Sequence, residues 1–251
     1  MKNVPPLHFE GKSPQEHIKE ARLKGMVASS EVHGMEMPGH IAAFADSMKD
    51  TATLLLIVWT VSLNLLSTDL ALQSMALLSL GWVLWKPLRS AMLGWGRLER
   101  LHRLIEEERW EIDHNREQEK SELRAMYEVK GFSGKLLDEI VDILMSDDNR
   151  LLQIMLEEEL GLTLEIHEHP LKQAVGAFLG ALLSSIVLML CFIFFPTYIF
   201  PLIAAVLIAG GSYTFARLER NKKSSGLIWH ICSVGMVGSI VYVISKIFIS
   251  K

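Results

Sequence analysis

Residues 173–195 read QAVGAFLGALLSSIVLMLCFIFF, an uncharged run that is long enough to cross a bilayer core, which takes roughly 20 helical residues. The run lacks the polar face that a helix of a soluble protein keeps toward water. The run at 70–85 is shorter, because Lys86 follows it, and it spans only if that lysine side chain snorkels to the interface. We predict five transmembrane helices, from the uncharged runs at 51–68, 70–85, 173–195, 196–216 and 224–245.

Charged and apolar residues occupy separate parts of the chain. Apolar residues make up 50% of the 251 residues and charged residues 22%, and the charges lie mostly outside the uncharged runs. This segregation is typical of a membrane protein with a water-facing part. A net charge of −4 without a basic stripe argues against a nucleic-acid partner. Cys191 and Cys232 both lie in apolar runs, so no disulfide is predicted.

Lysine and arginine residues predict the orientation of the spans. They gather before the first uncharged run, after the second, and between the fourth and fifth, and the positive-inside rule places those ends in the cytoplasm. The N-terminus is therefore predicted to be cytoplasmic and the C-terminus to lie on the opposite side. The predicted all-α organisation has a cytoplasmic N-terminal segment (1–39), transmembrane helices 1 and 2 (40–96), a cytoplasmic helical module (97–169) and transmembrane helices 3 to 5 (170–251).

The polar segment between spans two and three is predicted to fold as three helices. The first continues from span two to about Val129, because this stretch contains no proline and no glycine before Gly131. Its cytoplasmic part would be roughly 50 Å long at 1.5 Å per residue. The predicted caps and stops of the other two helices are Ser133, Asp147 or Asp148, and Gly161.

The first module helix carries acidic residues on all of its sides. A solvated charged face is the simplest interpretation, since Glu106, Asp113 and Glu117 point away from the others. A metal site is the alternative, because the third helix adds three more acids at 157–159, shortly after Met155, and can fold back onto the first. Clustered carboxylates repel one another unless a cation or protons intervene, and carboxylates with one thioether suit Fe²⁺ or Mn²⁺. Four acids share an arc of about 80° at 100° per residue: Glu108, Glu111, Glu119 and Glu122.

Three segments of the module resemble the cytoplasmic module of the vacuolar iron transporter family. They read EKSELRAMYEVKGFS at 119–133, LLDEIV at 136–141 and MLEEELGL at 155–162. The resemblance extends from about His40 to the end of the chain. It implies five spans with a module inserted between the second and third, a homodimer in the lipid bilayer, and exchange of cytosolic ferrous iron or manganese for protons.

The resemblance also implies the metal ligands of the module. The bound Fe²⁺, Mn²⁺ or Zn²⁺ is a transported substrate in this interpretation, and no prosthetic group is expected. One family ligand, the glutamate that follows the methionine of the third helix, is Leu156 here, and Glu157 or Glu158 could replace it. The implied ligands are Glu108, Glu111, Glu119 and Glu122 on the first helix, with Met155 and Glu159 on the third.

The membrane part departs further from the family, in which a carboxylate of span one and a glutamate and a methionine of span two form the transport path. Asp46 and Asp50 lie on one helical face, at i and i+4, and either would supply the first carboxylate. Span two contains no acidic residue between 70 and 98. Its Lys86 either pairs with one of these aspartates, where relatives hold metal, or snorkels to the interface.

Three smaller features leave alternatives open. Residues 14–27 form either an amphipathic helix on the membrane surface or a loosely ordered tail. His230, inside the last span, is either an interhelical hydrogen-bonding group or part of a proton path. A second candidate cation site precedes span one and consists of His33, Met35, Met37 and His40.

Two functions are predicted, in order of preference. The first is a divalent metal transporter, with ferrous iron or manganese exported or sequestered by proton antiport after capture by the carboxylates of the module. The alternative is a transport-deficient, membrane-anchored metal-binding or interaction protein of the same architecture. An enzyme is not predicted, because the sequence offers neither a paired nucleophile and base nor a phosphate-binding loop.

Overall fold

The computed structural model describes residues 13–29, 39–162, 168–218 and 223–249, and within these ranges the chain is helical without a strand. The predicted all-α class is therefore confirmed for this part of the chain. A π-helical turn at Met155–Glu159 extends α6, and a short 3₁₀ turn at Thr197–Ile199 precedes α8. The helices are α1 (Pro14–Ser29), α2 (Gly39–Leu65), α3 (Thr68–His114), α4 (Arg116–Val129), α5 (Gly134–Leu144), α6 (Asp148–Ile154), α7 (Pro170–Phe194), α8 (Phe200–Leu218) and α9 (Lys223–Ile249).

The chain divides into two compact units. The first, which we call the module, comprises Met1–Ser30 and Gly96–His167, and the second, the membrane unit, comprises Glu31–Trp95 and Glu168–Lys251. By length and composition, three segments of the described residues qualify to cross a membrane: Pro170–Phe194, Thr197–Arg217 and Gly226–Phe248. They correspond to predicted spans three to five. Spans one and two, in α2 and the first part of α3, stay predictions.

In the membrane unit, α2 packs against α7, α8 and α9. Its approach to α7 is close because Gly176 and Gly180 carry no side chain. A Cβ atom on Gly176 would overlap the carbonyl oxygen of His40, and one on Gly180 would overlap that of Phe44. Small residues four positions apart allow such backbone contact between membrane helices. The apolar core of the membrane unit consists of Ala52, Leu55, Met75, Leu188, Cys191, Phe200, Ala204 and Ile208.

Replacing Gly180 with Ala should destabilise the membrane unit, because the added methyl group meets backbone atoms of α2 that cannot rotate away. Overpacking of this kind costs about 1–3 kcal/mol. A lower melting temperature in detergent is the expected result. Gly238 is the matched control, since a Cβ there meets nothing within 4 Å. An equal loss of stability in Gly180→Ala and Gly238→Ala would show that the close approach is unimportant.

The module is built from α1, the end of α3, and α4 to α6 around one apolar core. Of the predicted caps, Asp147 is confirmed, since its Oδ1 accepts a hydrogen bond of 2.9 Å from the Arg150 backbone at the start of α6. Ser133 occupies the N-cap position of α5, but its side chain forms no capping hydrogen bond. Gly131 and Gly161 both adopt positive φ, at 96° and 64°, as expected of helix stops. The fully buried members of the core are Leu123, Leu151 and Met155.

Two sequence interpretations are wrong in this unit. The first module helix does not continue to Val129, because the backbone leaves the helical region at Asn115 (φ −123°, ψ 34°) and a new helix begins at Arg116. Residues 14–27 form the helix that one alternative predicted, so the loose tail is wrong, but this helix does not turn its apolar face to a membrane surface. Their helix α1 packs on the module, where Ile18 and Ala21 join the apolar core.

Candidate functional site

Buried glutamates from three separate elements meet inside the module. Glu108 comes from the end of α3, Glu119 and Glu122 from α4, and Glu159 from the π-helical turn. All four are almost completely buried, with at most 4% of any residue exposed. One carboxylate oxygen of each of Glu108, Glu119 and Glu159 lies within 4.8 Å of the other two, close enough for a single cation to bind all three. We call these four residues the carboxylate cluster.

The bend at Asn115 shapes this cluster. On an uninterrupted helix, Glu108 and Glu119 would be separated by about 16 Å along the axis, at 1.5 Å per residue. Their carboxylate oxygens instead lie within 4.8 Å of one another. Asn115 keeps its backbone hydrogen bonds through the bend, donating to the Glu111 carbonyl over 2.7 Å and accepting from Gln118 over 2.8 Å. The bend and the length of the two side chains together therefore turn two sequential acidic segments into one site.

The π-helical turn places Glu159 on the buried side of the module. Its wider ring is closed by a hydrogen bond of 3.1 Å from the Leu160 N–H to the Met155 carbonyl, five residues back. A second bond, of 2.8 Å, joins the Leu162 N–H to the Leu156 carbonyl and ends the helix at Gly161. Turns of this kind are rare and occur frequently at functional sites.

Burial and like charges act together on Glu159. Removal from water raises the pKa of its carboxyl well above the ordinary value of 4.5, and the neighbouring charges of Glu122, Glu119 and Glu111 raise the pKa further. Glu111 is only partly buried but still acts on this carboxyl. An empty cluster therefore favours bound protons, and a divalent cation would displace them.

The third module helix shows whether another acid replaces the family ligand that is missing at Leu156. Leu156 is buried in the apolar core, and Met155 is buried with it. Glu157 is exposed and accepts a hydrogen bond of 3.1 Å from Gln153, whereas Glu158 forms an ion pair with Lys130. The interpretation that Glu157 or Glu158 replaces the lost glutamate is therefore wrong.

His17 is the site residue that sequence reasoning missed. Its Nδ1 atom lies 2.9 Å from Glu122 Oε1 and 3.4 Å from Glu159 Oε1, and the three side chains form a second group of potential ligand atoms within 4.8 Å. The available signal was weak. His17 lies next to Ile18 and one turn before Ala21, so it lies on the face of α1 that packs against the module.

A second charged cluster lies in the membrane unit. Lys86 Nζ lies 2.6 Å from Asp50 Oδ2 and 3.6 Å from Asp46 Oδ2. Lys49, whose role the sequence did not reveal, has its Nζ atom 4.0 Å from Asp46 Oδ1 and 3.5 Å from His230 Nε2. Two lysines thus face two aspartates, and their formal charges cancel.

The remaining sequence candidates have ordinary contacts or lie outside the described residues. His230 Nδ1 lies 2.8 Å from the Gly226 carbonyl and its other nitrogen faces Lys49, the arrangement of an interhelical hydrogen-bonding group. His40 Nδ1 lies 2.6 Å from Glu168 Oε1. The other members of the candidate site before span one, His33, Met35 and Met37, lie outside the described residues.

Comparison with known proteins identifies one family. The family model described as the VIT family matches residues 97–247, more than half of the chain. The match confirms the resemblance drawn from the motifs of the module. No curated protein matches the chain.

Proposed function

The chain belongs to the VIT family, and from this premise we propose that it carries divalent ferrous or manganous ions across a membrane. Membership indicates an integral membrane protein that transports metal or other ions. The carboxylate cluster supports the choice of a divalent metal, because buried Glu159 shares one group of potential ligand atoms with Glu108 and Glu119 and another with Glu122, and carboxylate oxygens are ligands that such ions prefer.

The module would capture the ion before transport. The ion is bound by Glu108, Glu119, Glu122 and Glu159. The negative charge of Glu111 stabilises the bound ion further. Met155, which is buried one π-helical turn before Glu159, is the further ligand that the family implies. Buried carboxyls that bind protons when empty must lose them when a cation enters, so capture is coupled to proton release. Proton antiport is the transport mode that this chemistry fits.

We further propose that the predicted topology applies. In it, five spans place the N-terminus and the module in the cytoplasm and the C-terminus on the opposite side, and two chains form a homodimer. The ion then leaves the cytoplasm, by export or by sequestration in a compartment. Asp46 and Asp50 are the carboxylates of α2 available to a transport path.

A second candidate function is favoured by one observation. Lys86 and Lys49 already balance the charges of Asp46 and Asp50, so a dication entering this cluster meets no net negative charge. A chain whose path is neutralised in this way would bind metal in the module without transporting it. This is the membrane-anchored metal-binding protein that the sequence offered as an alternative.

Uptake into proteoliposomes separates the two functions. The native chain should carry Fe²⁺ or Mn²⁺ with counterflow of protons, read by a pH-sensitive dye in the lumen. Glu122→Gln should raise the half-saturating metal concentration at least tenfold, and Glu117→Gln, an exposed residue of the same helix, should leave it unchanged. Metal binding without uptake by the native chain would establish the second function, and absence of metal binding would exclude both.

A further inference from the structure

Helix α1 holds an imidazole against the carboxylate cluster. His17 Nδ1 lies 2.9 Å from Glu122 Oε1 and 3.4 Å from Glu159 Oε1, with 14% of the side chain exposed. Two atoms that each bind one ion at about 2.0–2.2 Å lie roughly 3 Å or slightly more from each other, so these separations between ligand atoms fit a shared ion. A cation between the three side chains would find a nitrogen and two oxygens already within 4.8 Å of one another.

Contacts away from the acids fix the position of His17. Ile18 and Ala21 anchor the buried face of α1 in the module core. Arg22 donates two hydrogen bonds, of 2.9 and 3.2 Å, to the carbonyl of Glu158, next to Glu159. At the start of α1, Ser13 and Glu16 form a reciprocal cap in which the Ser13 N–H donates to Glu16 Oε2 over 3.0 Å. The imidazole is therefore held at the cluster before any ion arrives.

We propose that His17 is a metal ligand, which makes the module site a mixed nitrogen and oxygen site; this rests on the proposed capture of metal by the module. The third helix offers an apolar side chain at Leu156, and His17 supplies a donor from another element instead. A neutral imidazole binds through a lone pair and adds no negative charge. It adds a ligand without adding to the mutual repulsion of the four glutamates.

The nitrogen donor defines the class of ion. Carboxylates alone suit Mn²⁺, Mg²⁺ and Ca²⁺, whereas imidazole suits Fe²⁺, Zn²⁺ and other later transition metals. His17 should therefore shift the preference of the module from Mn²⁺ toward Fe²⁺ and Zn²⁺. A role as a protonated counterion of Glu122 and Glu159 is the competing explanation for the same contacts, and it predicts no such preference.

Metal titration of the full chain in detergent separates these roles. The probes are Zn²⁺ and Mn²⁺, and the variants are His17→Ala, His17→Arg and, as control on the exposed side of α1, Lys19→Ala. His17→Ala should lose at least tenfold in Zn²⁺ affinity and much less in Mn²⁺ affinity. His17→Arg should not restore Zn²⁺ binding, and Lys19→Ala should match the native chain. Native Zn²⁺ affinity in His17→Ala, or its restoration by arginine, would overturn the proposal.

A spectroscopic measurement on the native chain tests the proposal without any variant. Pulsed EPR of Mn²⁺ bound to the native chain should show hyperfine coupling to one ¹⁴N nucleus, and its absence would also overturn the proposal. Glu159→Gln distinguishes this failure from failure of the proposed function. If Glu159→Gln binds both ions with native affinity, the module is not the capture site. If Glu159→Gln binds them weakly while His17→Ala binds them with native affinity, only the role of His17 is rejected.

Discussion

Glu159→Gln is expected to make the metal-free protein more resistant to heat at neutral pH and to remove most of the stabilisation that a divalent ion provides. In the native chain this carboxyl is buried among Glu122, Glu119 and Glu111, so its charged form is unfavourable without a cation. Glutamine has nearly the same shape and never ionises. The loss of one ligand should reduce metal affinity at least tenfold, or about 1.4 kcal/mol.

The sign of the pH dependence follows from the raised pKa of Glu159. Above its ordinary value of 4.5, the unfolded chain loses this proton while the folded chain still binds it, so the native protein gains stability as pH falls through that interval. Glu159→Gln lacks this contribution. Its advantage over the native chain should therefore be largest at neutral or alkaline pH, and it should shrink steadily on acidification toward 4.5.

Melting temperatures of the two proteins, measured with a chelator and with excess Mn²⁺ across this pH range, check the expectation. Glu157→Gln is the control, because Glu157 belongs to the same π-helical turn but is exposed. It should follow the native curve under every condition. A melting temperature for Glu159→Gln that stays below the native value in the metal-free state would mean that the buried charge is compensated in another way.

Removal of both aspartates from the charged cluster of the membrane unit is expected to cost more stability than removal of its lysine. The Lys86 side chain is 4% exposed, whereas those of Asp46 and Asp50 are 32% and 48% exposed. Asp46→Asn with Asp50→Asn leaves a buried ammonium group without carboxylates, and the expected cost lies below the roughly 3–5 kcal/mol of a fully buried pair, because both aspartates are partly exposed. Lys86→Met leaves carboxylates that still reach the surface of the chain.

Thermal melting in detergent should rank the variants accordingly, with the double aspartate variant lowest and Lys86→Arg nearest to the native chain. Lys246→Met is a control for the loss of an exposed lysine of this unit. The same variants should also be tested in the uptake assay. If Lys86 blocks the path, Lys86→Met should transport the ion faster than the native chain. Unchanged transport would show that Lys86 has no part in the path, and a reversed melting order would show that the aspartates are the buried partners.

Local sequence pattern predicted part of the site. Glu119 and Glu122 lie one turn apart on a helix, and Gly131 and Gly161 ended their helices where glycine was expected. The bend at Asn115 was not predictable in this way, because asparagine costs a helix only about 0.7 kcal/mol or less relative to alanine. The π-helical turn depends on how Met155 and Leu156 pack in the module core, which a pattern of residues does not contain.

Long-range packing explains the other omissions. His17 and Glu122 are far apart in the chain, and only the fold of α1 onto the module brings them together. In the same way, Lys49 looked like a charge at the end of a span, and its place between Asp46 and His230 follows from the packing of α2 against α9. In both cases the side chain was visible in the sequence and its neighbours were not.

Because α1 packs in the core of the module, a fragment used to study the module in isolation must contain α1. A fragment that starts at residue 97, where the family match begins, would omit Ile18 and Ala21 from its core and His17 from its acids. Such a fragment would expose an apolar patch to water and would report the ion preference of glutamates alone. The smallest faithful version joins residues 13–29 to Gly96–His167, by a linker or by mixing two peptides.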